Sequence, residues 1–215
     1  EIDRILFKIP DCVKAKEQPD GFINAIHAMR LIGMRLSECW LFSWEPVEGT
    51  HYPVRLGTST AAIVFSDVQK SGLETEVPLT DEAIKWLRWM RDTRNEQNDA
   101  STWVCRTVGA RGEHATPNRL GRVIADAGRA GKVVVKRFTK RSGEKIKFAS
   151  AHDLRRTFAT NLQRDLTIPE KQKLTRHADA QALLDHYSDA PTPVLVAKLR
   201  GQKHPEPDSN GRPVD

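Results

Sequence analysis

The sequence predicts an α+β domain, mainly α-helical, with a small antiparallel β-sheet. Three observations predict it. Apolar residues recur at helical spacing along most of the chain, as in Phe22, Ile23, Ile26, Met29 and Ile32. The period shortens to two between Val54 and Leu79. Helix-capping and helix-breaking residues (Gly33, Thr80, Thr116-Pro117) fall at the edges of the helical stretches. At 215 residues the chain is long enough for one well-cored domain, and 39% hydrophobic with 29% charged residues is ordinary for a soluble protein.

Composition also removes several function classes. No apolar run approaches the ~20 residues needed to cross a bilayer, and no signal-peptide pattern opens the chain. A cytoplasmic protein without a membrane partner is expected. Cys12, Cys39 and Cys105 are odd in number and widely spaced, which fits reduced thiols and argues against a zinc cluster or a disulfide framework. A formal net charge of +6 favours a polyanionic partner.

In order, residues 1–20 carry a few apolar positions and then Pro10 and Pro19, which reads as a linker segment. The first residue is Glu1 rather than Met, so a fragment of a longer protein is expected, with residues 1–20 leading in from a missing N-terminal domain. Gly21 to Ile32 reads as a helix, broken at Gly33, and a second helix starts over Met34 to Glu38 with Cys39, Trp40 and Phe42 inward. Ala61–Phe65 and Leu73–Val77 read as strands joined through Ser66 to Gly72, a connection that carries Lys70. Thr80 caps a helix running through Thr93, and Trp103–Cys105 reads as a short buried strand.

Thr116, with Pro117 at the first helical position, opens a helix to about Gly128. Residues 129–147 hold eight Lys or Arg against Glu144 alone, and read as a β-hairpin with a basic tip around Lys140 and Arg141. A helix follows over A-H-D-L-R-R-T-F-A-T, residues 151–160, with Ser150 and Asp153 forming a capping box and Leu154, Phe158 and Leu162 facing a core. Thr167 to Leu174 reads as a further helix, Thr192-Pro193 caps a short one, and residues 201–215 read as a disordered tail. The main folded domain expected from these elements spans 21–200.

His152 and Arg155, three apart, leave one face of a helix at its first turn. Free N–H groups and the helix dipole already favour an anion there. The string from His152 to Thr160 resembles the H-x-L-R-H/R-T-F-A-T signature of the tyrosine recombinase (phage integrase) family. G-M-R-L-S-E, residues 33–38, resembles that family's first box, and R-H followed ten residues later by a tyrosine resembles its last.

The resemblance runs from about Gly21 to Leu199 and implies six catalytic residues: Arg35, Lys70, His152, Arg155, His177 and Tyr187. Arg156 stands where many members have a second histidine, and Arg176 replaces the usual glycine. Lys136, Arg137, Lys140 and Arg141 of the hairpin, with Arg156 and Arg176, are the candidate DNA contacts.

The residue types make chemical sense as one machine. Two guanidiniums can hold the non-bridging oxygens of a phosphodiester while charge builds on them. A phenol has a pKa of about 10 and needs deprotonation as it attacks; His152 is a candidate to assist this step or to orient the phosphate. The family resemblance implies a 3′-phosphotyrosyl intermediate, with Lys70 protonating the leaving 5′ oxygen. No cofactor and no metal are expected. The implied partners are double-stranded DNA, a homotetramer on it from a free monomer, and accessory DNA-bending proteins, in a prokaryotic or phage setting. Two other readings stand beside it: type IB topoisomerase-like relaxation, and a non-catalytic DNA-binding regulator on the same fold.

Overall fold

A computed structural model describes residues 1–45, 52–56, 61–65, 75–108, 114–140, 143–161, 167, 170 and 174–175. Lys70, the Lys140 side chain, Arg141, Leu162, Arg176, His177, Tyr187, the helix expected after Pro193 and the tail expected from 201 all lie outside the described residues.

The fold is organised around one central helix. Helix α2 (Pro19–Ile32) starts with Pro19 at its first turn and buries Phe22, Ala25, Ile26, Ala28, Met29, Leu31 and Ile32. An apolar surface that wraps so far round a helix needs neighbours on several sides. It has them: α1 (Ile2–Cys12), α3 (Leu36–Trp40), α4 (Asp81–Glu96), α5 (Pro117–Ala130) and α6 (Ala151–Asn161) all pack against it.

Sequence-encoded caps set the helix ends. The Thr80 hydroxyl accepts the Ala83 N–H at 3.3 Å to open α4, and the Thr116 hydroxyl accepts the Arg119 N–H at 3.3 Å to open α5. Thr167 differs: the Glu170 carboxylate accepts both its N–H at 2.7 Å and its hydroxyl at 2.6 Å.

The segment expected as a linker contains α1. Its Ile5 and Ile9, one turn apart, are buried in the same core as Leu120, Val123, Ile124 and Ala127 of α5. Arg119 of α5 fastens the stretch after α1, donating to both Glu17 carboxylate oxygens (2.8 and 2.5 Å) and to the Cys12 carbonyl (3.3 Å).

The main sheet has the order β1-β2-β3-β4, from Phe42–Ser43, Tyr52–Leu56, Ala61–Phe65 and Thr75–Pro78. Strands β2, β3 and β4 are antiparallel, as expected, whereas the short β1 pairs with β2 in parallel. The strand expected over 103–105 is a single bridge, Ser43 to Trp103, flanked by two backbone hydrogen bonds. The Thr107 N–H then turns back to the Cys105 carbonyl, which ends the extended run. Strands β5 (Val134–Lys140) and β6 (Gly143–Phe148) form a separate antiparallel hairpin that leads into α6.

Candidate active site at the Gly33 corner

The site begins with a chain reversal. Gly33 ends α2 in the left-handed region (φ 69°, ψ 30°), with its N–H on the Met29 carbonyl at 3.1 Å. Met34 is buried behind it, and Arg35 is extended (φ −72°, ψ 160°) before α3 begins. Three residues on, Glu38 reaches back. Its carboxylate accepts the Arg35 backbone N–H at 2.6 Å and the Arg35 guanidinium at 2.6 Å. The corner thus fixes Arg35 twice, in backbone and in side chain.

Helix α6 brings the second arginine to the same carboxylate. At its N-terminus the Asp153 carboxylate accepts the Ser150 N–H at 3.1 Å and the Ser150 hydroxyl at 2.6 Å, the side-chain contact the capping box called for. Leu154 and Phe158 face inward, as the helical spacing requires. Arg155 is also inward and only 7% exposed. Its guanidinium donates to the carbonyls of Gly33 and Thr175, and lies 3.9 Å from the Glu38 carboxylate. Two carbonyl acceptors fix the plane of a guanidinium, because its donors form a rigid fork.

Two guanidiniums from distant parts of the chain therefore share one carboxylate that is 2% exposed. Arg35 keeps 31% of its side chain in solvent, so the pair opens toward the surface on the Arg35 side. Two guanidiniums gathered at one place are suited to an anion held by charge-assisted hydrogen bonds. His152, one turn before Arg155, is exposed at the start of α6, while Arg155 turns into the protein; the two neighbours divide between surface and interior.

Asp153, adjacent to His152, is tied outward as well as inward. Its second oxygen accepts the Lys147 ammonium of β6 at 2.8 Å. Burial, the largest single influence, pushes the Asp153 carboxyl up. The hydrogen bonds from Lys147 and Ser150 and the Lys147 charge together outweigh it and hold the group below its ordinary range.

The candidate DNA contacts among the described residues lie on two elements, β5 and α6. Lys136 and Arg137 are exposed on β5, Lys140 ends that strand opposite Gly143, and Arg156 is half-buried on α6. Neither Glu38 nor Lys147 is among the site residues expected from the sequence. The signals available were the three-residue step from Arg35 to Glu38 and the free acceptor that a capping aspartate offers. Among the described residues, no three His, Cys, Asp or Glu side chains gather as metal ligands, and no helix is long and apolar enough to cross a membrane.

Solved structures with this fold are tyrosine recombinases. XerA recombinase superposes with a TM-score of 0.60 at 17% identity, covering 94% of this chain and 62% of that one. The lambda integrase catalytic core gives 0.50 at 14% identity, over 81% of this chain and 90% of its own. A lambda integrase tetramer bound to a Holliday junction gives 0.52 at 14% identity, over 85% and 46%. The fold is that of a tyrosine recombinase catalytic domain, and the chain spans about three-fifths of the XerA recombinase. The sequence profile of the phage integrase family matches residues 22–192, and the chain belongs to that family. No curated protein matches the sequence significantly.

Proposed function

We propose that this chain is the catalytic part of a site-specific DNA recombinase, an integrase that cleaves and rejoins strands through a 3′-phosphotyrosyl bond to Tyr187. The observation that carries the reading is the pairing of Arg35 and Arg155 on the buried Glu38, one helical turn from the exposed His152. A scissile phosphodiester presents two non-bridging oxygens, and two guanidiniums fixed on one carboxylate match that demand.

In this reading the Tyr187 hydroxyl attacks phosphorus and passes its proton to His152. The bond from phosphorus to the 5′ oxygen breaks, and that oxygen takes a proton from Lys70. His177 joins the arginines on the non-bridging oxygens. The phosphotyrosyl bond conserves the energy of the phosphodiester, so a second 5′ hydroxyl reverses the step and joins a new partner without ATP. The arginines supply the charge stabilisation a metal would otherwise bring. The protein is a monomer when free and a tetramer on DNA, with the segment near 193–200 docking on a neighbour; removing residues 192–215 should then abolish assembly on DNA.

The test is covalent capture. The full-length protein and its Tyr187→Phe variant are incubated with nicked suicide duplexes carrying candidate attachment sites, and denaturation-resistant protein–DNA bands are sought. A band lost in Tyr187→Phe is the expected result. Tight binding to a site with no band would favour a regulator on this fold, and plasmid relaxation without site preference would favour a topoisomerase-like enzyme.

A further inference from the structure

Hairpin β5–β6 has two faces of different charge. The register pairs Lys136 with Lys147, Phe138 with Lys145 and Lys140 with Gly143, so these positions share one face. Arg137 pairs with Ile146 and Thr139 with Glu144 on the other. The first face therefore carries Lys136, Lys145 and Lys147 without an acid. On the second, the single arginine meets the single acid, Arg137 to Glu144 at 3.4 Å. Lys136, Lys145 and Lys147 are exposed.

A directly opposed Lys136–Lys147 pair destabilises an isolated hairpin. Here one member is neutralised: the Lys147 ammonium is drawn 2.8 Å onto Asp153, at the first turn of α6 and next to His152. The capture does two things. It fastens the base of the hairpin to the helix that carries His152 and Arg155, and it turns the lysine face toward that end of the helix.

We propose that this lysine face is a docking surface for the phosphate backbone of duplex DNA, with Lys136 and Lys145 contacting phosphates and Lys147 withheld as the tether to Asp153. Arg137, a DNA contact on the sequence reading alone, lies on the opposite face paired with Glu144 and has no part in the proposed surface. The choice of duplex DNA rests on the recombinase reading above. The division of labour rests on the register and the two ion pairs alone.

The test is the salt dependence of binding, which needs neither the cognate site nor Tyr187. Fluorescence anisotropy follows the full-length protein on a labelled random-sequence duplex of about 30 base pairs, long enough to offer a run of phosphates. Lys136→Ala and Lys145→Ala should each flatten the slope of log K against log salt by about 1. Arg137→Ala and Lys147→Met should leave it unchanged. Asp153→Asn checks the tether by a second route: it should not flatten the slope and, unlike Lys136→Ala, should lower thermal stability.

Flattening by Arg137→Ala or Lys147→Met equal to that of Lys136→Ala overturns the proposal while leaving the recombinase reading intact. Tighter binding to phosphatidylserine–phosphatidylcholine vesicles than to the duplex overturns the choice of partner. No duplex binding at all overturns both. The expected slopes without a covalent band in the capture assay would leave the surface standing and remove the catalytic reading.

Discussion

The aromatic ring of Phe158 occupies the space that a β-carbon on Gly33 would need, its nearest ring carbon 2.1 Å from that position. Gly33 thus serves three ends at one residue. It reverses the chain after α2, admits the Phe158 ring of α6, and presents its carbonyl to the Arg155 guanidinium. The glycine of the first arginine box is a packing seat for the second arginine's helix as well as a turn.

Gly33→Ala should therefore cost more than backbone strain. The left-handed conformation costs an L residue about 1–2 kcal/mol, and overpacking adds about 1–3 kcal/mol. Gly143→Ala is the control, because Gly143 also has positive φ (104°) but nothing within 4 Å of a β-carbon. Urea denaturation should show a clearly larger loss for Gly33→Ala. Equal losses would mean that the Phe158 ring moves aside freely.

Glu38→Gln keeps the shape of the side chain and removes the charge that both arginines share. Breaking a buried ion pair by losing one partner costs about 3–5 kcal/mol, because the remaining charge stays out of water. We expect a loss near the lower end, since Arg35 remains partly solvated. Glu38→Gln and Arg35→Ala combined should cost less than their sum, a coupling measured by a double-mutant cycle. Strict additivity would show that the 2.6 Å contact contributes nothing.

What was readable in the sequence was what local chemistry specifies. The turn at Gly33, the threonine caps of α4 and α5, the Ser150–Asp153 box and the hairpin all depend on residues within a few positions of one another. What was not readable depends on pairings far apart in the chain. Nothing local tells that Glu38 faces Arg155 as well as Arg35, or that the Arg155 guanidinium is held by the carbonyls of Gly33 and Thr175. Helix α1 has Ile2, Ile5, Leu6 and Ile9 at helical spacing, but Pro10 inside it and Pro19 after it favoured a linker, and its partners on α5 lie over a hundred residues away. Trp103 to Cys105 was read as a strand from its apolar run, but the turn of the backbone at Thr107 leaves room for only one bridge.

Asp153 sets a pH dependence with a defined sign. Its carboxyl is held below the ordinary range in the folded protein, burial opposing and the Lys147 and Ser150 hydrogen bonds prevailing. A group with a depressed folded pKa contributes stability that is fully present above its unfolded pKa of about 3.9 and is lost as pH falls through the lower folded value. Asp153→Asn should lower stability at neutral pH and make the acid limb shallower below about pH 4, where Asp153 titrates in the unfolded chain. An unchanged acid limb would show that the Lys147 contact does not persist in solution.

The clasp between Arg119 and Glu17 decides whether α1 belongs to the catalytic unit. Glu17 is 2% exposed in its side chain, accepts the Lys14 N–H at 2.7 Å, and takes two hydrogen bonds from Arg119. The same guanidinium donates to the Cys12 carbonyl, so one side chain of α5 holds the end of α1 and the turn after it. Lysine cannot reproduce a forked contact of this kind. Arg119→Lys should therefore loosen the turn, and Glu17→Gln should loosen it further by stranding a cation that is largely buried. Thiol labelling reports this locally, because Cys12 is half-buried whereas Cys39 and Cys105 lie in the core. Under native conditions both variants should label faster at Cys12 than wild type, with Cys39 and Cys105 unchanged. Faster labelling at all three would mean global destabilisation, and no change at Cys12 would mean that Ile5 and Ile9 hold α1 in place without the clasp.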